Sequence, residues 1–261
     1  MLLDGKVALV SGGGRGIGRG IAVELARAGA HVGIADLDPS ADALAAIRAT
    51  GRRGLALPGD VSDRLAVERM VRECTAALGP LDIVVAAAVT SVRRTLLETD
   101  ERDLRRTIEV AVLGTFHLFQ VAARQMVDRG TKGAMLYVSS PHARLPFKGA
   151  VDYNAAKAGA HQLALSAANE LMWHGIRVNI IEPGWTDTPG ERSWYSDEVL
   201  AREARKMPLG RLATPEDLGK AAVFLVSEQA AYVCGAVLRV DGGTMIQGPA
   251  WYAPARHGSG G

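Results

Sequence analysis

Residues Lys6–Gly18 read KVALVSGGGRGIG. The apolar run up to Val10 has strand length and no polar alternation, as in a parallel strand buried on both faces. Glycines interrupt it at once. From Gly16 the apolar spacing turns helical and continues to Ala28, where Gly29 stops it. A strand passing through a glycine turn into a helix aims the helix's unbonded N–H groups back at the turn. This one junction defines a strand–helix unit, and the rest of the chain repeats its period.

His31–Ala35 is a second strand, with Asp36 at its end. Ser40 to about Thr50 is helical, and Leu55–Leu57 is a short strand followed by Asp60. A helix from Ser62 carries Val67, Met70, Val71, Cys74 and Leu78 on one face and closes at Gly79-Pro80. Leu81–Ala88 is the fourth strand. One long helix is expected from about Glu101 to Asp128, a strand at Ala134–Val138, a helix at Ala150–His174 and a strand at Arg177–Ile181. Thr214-Pro215-Glu216-Asp217 is a strong helix start, with a threonine cap, proline in the first turn and carboxylates at the positive end. Val237–Val240 is the last strand. The alternation predicts an α/β fold: a single-domain, doubly wound parallel sheet of Rossmann-like form with helices on both faces. The domain spans 1–250, with 251–261 as a partly mobile tail. Ligands of such sheets bind at the carboxyl ends of the strands. The chemistry is therefore expected near Ser11, Asp36, Asp60, Ala88, Ser139 and Pro183.

The 261 residues suit one large domain, and 48% hydrophobic with 22% charged residues is an ordinary globular balance. A net charge of +2 gives no electrostatic reason to expect a nucleic-acid or membrane partner. Cys74 and Cys234 have no metal spacing and are expected to be two buried free thiols in a reducing compartment. No metal site is expected. The N-terminus lacks a signal pattern, and no apolar run reaches about 20 residues. These features predict a soluble, cytoplasmic protein.

The loop Ser11, Gly12, Arg15, Gly16, Ile17 and Gly18 is a candidate pyrophosphate cradle, spaced Gly-x-x-x-Gly-x-Gly. Asp36, with Leu37 beside it, is placed to accept from a ribose diol and to repel a 2′-phosphate. That favours NAD, with NADP as the lesser candidate. Arg15 pulls towards a phosphate, but an unpaired carboxylate against a buried phosphate is the larger penalty.

Further along, Tyr153 and Lys157 stand four apart in a predicted helix, one turn apart on one face. A cation beside a phenol favours the phenolate. With the glycine loop, these residues bring the chain to a known family. It resembles the short-chain dehydrogenase/reductase family over about Leu3 to Gly243. The match is carried by SGGGRGIG at 11–18, Asp60-Val61, Ser139-Ser140, Tyr153-x-x-x-Lys157 and EPGWTDT at 182–188. The resemblance implies hydride transfer between a nicotinamide and a carbonyl or alcohol. Ser140 would hydrogen-bond the substrate oxygen and Tyr153 would be the general acid or base. Lys157 would hold the nicotinamide ribose and lower the tyrosine pKa. Bringing a phenol from near 10 to neutrality takes about 3 units, roughly 4 kcal/mol. Asp60 and Val61 would contact adenine, Ala87 and Ala88 would pass close to the cofactor, and Pro183, Gly184, Thr186 and Thr188 would line the nicotinamide. Asn179 would be structural. The resemblance also implies a homotetramer.

Two departures stand out. The family's usual Asn-Asn-Ala-Gly after the fourth strand is here Ala86–Val89, AAAV, so Ala86 cannot tie neighbouring strands and Val89 replaces a glycine. A further family asparagine, which helps hold a water linking the lysine to solvent, is here Ala111. These losses open a second class of reading, an NAD-binding scaffold or redox sensor with little catalysis.

The substrate walls are expected at Thr90–Leu96, Pro141–Phe147 and the segment after Gly184, which carries Trp185, Trp194 and Tyr195. His142 is a candidate substrate contact, with Trp185 and Trp194. Arg93, Arg94, Arg144, Lys148 and Arg192 either draw an anionic substrate or are solvated surface charge. Asp152 is read as a helix cap. The 182–192 stretch resembles sugar and polyol dehydrogenases of the family. A small-molecule secondary alcohol of sugar, polyol or cyclic type is the favoured substrate, with a 3-oxoacyl thioester reductase as the enzymatic alternative.

Overall fold

A computed structural model describes residues 1–246. The tail assigned to 251–261, and 247–250 of the domain, lie outside the described residues. Seven strands form one sheet in the order β3-β2-β1-β4-β5-β6-β7: β1 Val7–Ser11, β2 His31–Asp36, β3 Gly54–Pro58, β4 Ile83–Ala86, β5 Ala134–Val138, β6 Arg177–Pro183 and β7 Val237–Val240. Every pairing is parallel. The order reverses between β1 and β4, which opens the crevice expected of a doubly wound sheet.

The helices are α1 Gly16–Arg27, α2 Ala41–Arg48, α3 Arg64–Leu78, α4 Glu101–Ile108, α5 Gly114–Arg129, α6 Val151–Leu171, α7 Pro189–Arg192, α8 Asp197–Ala204 and α9 Pro215–Val226. Side chains alternate across each strand and build two cores. Leu9, Val84, Met135 and Val178 join Met70 of α3, Leu118 of α5 and Ala160 of α6. Ala8, Val10, Val85 and Leu136 join Ile21 of α1, Leu44 of α2 and Leu218 of α9 on the other face.

The helix α9 starts as expected. Thr214 and Asp217 form a reciprocal capping box with proline in the first turn. Asn179 is structural, as the resemblance implied: it donates to the Val233 carbonyl and accepts from the Ala236 N–H.

Three expectations are corrected. The helix expected over 101–128 is two helices joined by a π-turn at Glu109–Leu113, which holds Ala111; the Thr115 hydroxyl donates to the Ala111 carbonyl at 2.7 Å. Cys74 is buried, and burial pushes its thiol up to about 12, but Cys234 is exposed, because it sits on the loop before β7. Asp152 does not cap its helix. The cap position is Ala150, and Asp152 is buried, accepting from the Val92 N–H and the Thr107 hydroxyl.

Helix α1 crosses α9 at bare backbone. A Cβ on Gly20 would lie 2.4 Å from the Pro215 Cβ and 2.5 Å from its carbonyl, and one on Gly219 would lie 2.5 Å from the Glu24 Cγ. Gly20→Ala is expected to lower stability by about 1–3 kcal/mol through overpacking. An unchanged thermal midpoint would show that this crossing is slack.

Candidate functional site

The carboxyl ends of β1, β4, β5 and β6 gather the expected site residues. Gly12 has φ +65°, and a Cβ there would lie 2.8 Å from the Ala88 backbone. Gly18 has no room either, since its Cβ would fall 2.1 Å from the Gly12 carbonyl oxygen. The strand tie that Ala86 cannot make is supplied by Ser11: its hydroxyl accepts from the Ala87 N–H at 3.2 Å and donates to the Val85 carbonyl at 3.4 Å. Arg15, at the N-cap of α1, is exposed and caps nothing, so no side chain satisfies the helix's first N–H groups from that position. Gly16 lies beside Thr188, which caps α7.

Asp36 accepts from the Gly14 N–H at 2.9 Å and has no ion pair among the described residues. Leu37 beside it is exposed. Asp60 accepts from the Ser62 backbone and hydroxyl and pairs with Arg106 at 2.6 Å. Desolvation pushes its carboxyl up, but these partners together outweigh it and hold the group below the usual range. Val61 is buried against Gly114. Gly184 approaches the Asp241 backbone so closely that a Cβ would lie 2.6 Å from its Cα. Thr186 is buried and donates to the Gly184 carbonyl, next to Pro183 at the end of β6. These tight glycine approaches and the uncapped helix end fit a nucleotide diphosphate.

Ser140 follows β5 and Tyr153 stands in the first turn of α6. Burial pushes the Tyr153 phenol up to about 12; the Ser140 hydroxyl pulls it down, the Glu191 carboxylate pushes it up and Arg93 pulls it down. Lys157 is buried, and burial alone drops its ammonium to about 7. Its Nζ lies 5.6 Å from the Tyr153 ring centroid and donates to the Val138 carbonyl at 2.6 Å. The expected depression of the phenol by Lys157 is therefore not the state seen here.

His142 lies against Tyr153, edge-on at 4.9 Å, and stacks on Phe147 at 4.1 Å. Trp185 and Trp194 belong to a latch over the site. Arg93 donates to the Tyr195 hydroxyl at 2.9 Å and to Glu191 at 3.0 Å, while the Trp185 indole N–H donates to the other Glu191 oxygen at 2.9 Å. The Arg93 guanidinium also lies over the Trp194 ring at 5.8 Å. This latch ties the 89–100 loop to α7.

Tyr137 escaped the sequence reading. It is buried with its ring 5.1 Å from the Lys157 Nζ, and its hydroxyl finds no protein partner. The available signal was its place in β5, opposite Ala86 and three residues before Ser140. No cluster of metal-ligating side chains occurs among the described residues, and no described helix is long and apolar enough to cross a membrane.

The chain is similar to known proteins over most of its length. A family model described as enoyl-(acyl carrier protein) reductase matches residues 12–245. An L-rhamnose 1-dehydrogenase (NAD(P)(+)) of a Sphingomonas species is 39% identical, covering 94% of this chain and 98% of its own. A cis-4-hydroxycyclohexanecarboxylate dehydrogenase of Sinomonas cyclohexanicum is 40% identical, with 91% and 96% covered. A solved structure from Agrobacterium tumefaciens, provisionally assigned as a 2-deoxy-D-gluconate 3-dehydrogenase and holding NADP, is 34% identical with a TM-score of 0.86, covering 94% of this chain and 98% of that one. Fold and site thus define an oxidoreductase of the nucleotide-binding α/β class, acting on CH–OH groups with a nicotinamide cofactor. The chain belongs to the short-chain dehydrogenase/reductase family.

The buried lysine has a consequence for stability. An unfolded lysine keeps its proton to about 10, whereas folded Lys157 releases it near 7. Between those values the unfolded chain binds more protons, so this residue's destabilising effect is full below pH 7 and fades towards pH 10. Lys157→Met is expected to unfold at a higher temperature than the wild type at pH 7, by up to about 4 kcal/mol in stability, with the gap closing near pH 10. A lower midpoint at pH 7 would show instead that the bond to Val138 outweighs the buried charge. Tyr137→Phe removes a hydroxyl without a protein partner and is expected to raise stability by about 1 kcal/mol in denaturant titration.

Proposed function

We propose that the protein interconverts a secondary alcohol and a ketone, with Tyr153 as the acid/base and NAD as the favoured cofactor. The observation that carries the reading is the convergence of Ser140, Tyr153 and Lys157 beside the glycine cradle. Ser140 is read as the donor to the substrate oxygen. Tyr153 exchanges the carbinol proton, and in the arrangement described it is a protonated phenol, ready to protonate a carbonyl. Lys157 is read as the ribose contact. The bound nicotinamide would supply or take the hydride. The cradle residues would hold the diphosphate, Asp36 the adenosine ribose diol, and Thr186 and Thr188 the nicotinamide side. Turning Lys157 from Val138 towards the ribose would restore its positive field on the phenol.

Asp36 supports NAD over NADP, since its carboxylate has no ion pair among the described residues and would repel a 2′-phosphate. The relatives acting on a sugar and on a cyclic alcohol support a substrate of that type. Two observations favour a weakly catalytic NAD-binding scaffold: Lys157 is bonded to Val138, and Ala111 offers no side-chain hydrogen bond. A panel of sugars, polyols and cyclic alcohols with NAD, followed by absorbance, separates the two. Turnover is expected, and Tyr153→Phe is expected to reduce it at least about 100-fold. Tight NADH binding with no turnover across the panel would favour the scaffold, and tighter binding of NADPH than of NADH would overturn the cofactor assignment.

A further inference from the structure

The orientation of His142 is dictated by a chain of hydrogen bonds. The Asn154 amide nitrogen donates to the Phe147 carbonyl at 2.8 Å, so its Oδ1 is the acceptor that faces His142. His142 Nδ1 lies 2.6 Å from that Oδ1 and must therefore carry the ring proton. In the neutral ring, Nε2 is a bare acceptor. Burial lowers the imidazole pKa first; the Asn154 hydrogen bond raises it, and Arg93 and Lys157 lower it, for a net fall that keeps the ring neutral. Phe147 and Tyr153 hold the ring from two sides, and the His142 backbone N–H donates to the Ser140 hydroxyl at 3.3 Å. Among the described residues Nε2 has no protein partner and is not one of the buried unpartnered atoms, so it remains reachable.

Four of the five cations expected at the entrance are already spent, and the fifth, Lys148, stands exposed to solvent with no ion pair among the described residues. Arg93 is divided between Tyr195 and Glu191, Arg94 pairs with Asp103, Arg144 holds the buried Glu182 in a bidentate pair, and Arg192 pairs with Asp187 and Asp197. Beside Tyr153, the unspent polar group is an acceptor. A carboxylate, ketone or thioester oxygen brings only lone pairs to such a group, whereas a hydroxyl brings the missing proton.

We propose that His142 is a specificity-determining residue: its Nε2 accepts a hydrogen bond from a second hydroxyl on the carbon next to the reacting carbinol, so the preferred substrate is a vicinal diol of polyol or sugar type. This rests on the oxidoreductase reading above. A site built to bond a hydroxyl discriminates against analogues that lack it, because its own polar group is left unpaired.

The test is calorimetric binding of cyclohexane-1,2-diol and of cyclohexanol to the protein saturated with NADH or NADPH, whichever binds more tightly. The diol is expected to bind about tenfold or more tightly than cyclohexanol. His142→Leu, which keeps bulk but no acceptor, is expected to bring the ratio near one. His142→Gln, which retains an acceptor oxygen, is expected to recover part of the preference. No preference in the wild type, or one that survives His142→Leu, overturns the assignment. Parallel turnover assays keep the two readings apart. Turnover without a diol preference overturns only the role of His142. A diol preference that depends on His142, with no turnover of either alcohol, upholds Nε2 as the hydroxyl receptor and counts against the oxidoreductase reading.

Discussion

The close approach of bare backbone at the end of β1 is the constraint on which the site depends. Gly18 meets the Gly12 carbonyl and Gly12 meets Ala88, at separations that leave no space for a side chain. These contacts bring the start of α1 against the segment after β4, where the strand order reverses. The helix's unbonded N–H groups, the Ala87–Ala88 backbone and the end of β5 then share one crevice. Replacing either glycine would push the elements apart before any chemistry was affected.

Around that crevice the protein keeps polar groups buried at some cost. Lys157 is held by one carbonyl and by aromatic faces, the Tyr137 hydroxyl has no protein partner, and one Asp152 oxygen likewise has none. Such groups are expensive in a core and are commonly retained where function needs them. Glu182 is the contrasting case, buried but fully engaged by Arg144. Tension is thus concentrated beside Tyr153, while the structural ion pair behind it is satisfied.

The fold was legible because its signals are local. Strand and helix periods, glycines at turns and the Thr214–Asp217 cap each depend on residues a few positions apart. The Tyr153–Lys157 pair was legible for the same reason. The break in the long helix was not, because its one mark is Gly114 directly after the π-turn at 109–113, and a lone glycine inside a helical pattern does not announce a change of turn. Tyr137 reads as one more apolar strand residue until the fold brings Lys157 over its ring. Asp152 looks like a cap until Val92 and Thr107 are folded against it. Arg93 resembles surface charge until Glu191, about a hundred residues later, meets it. The exposure of Cys234 depends likewise on which loops pack over β7.

The crossing of α1 and α9 at Gly20 and Gly219 bears on how the molecule is made. The glycine loop emerges from the ribosome well before the surface that steadies its helix, since Pro215 lies 195 residues (215 − 20) beyond Gly20. The nucleotide crevice is therefore assembled by a contact of long sequence separation, the slow kind to close. During synthesis, strands β1 and β2 can form their pairing while α1 still lacks the partner that covers it. Its apolar face, with Ile21 and Leu25, then awaits α9 and is open to other associations in the interval. A truncated chain ending before Pro215 would retain every residue of the glycine loop and lack the contact that holds it in place.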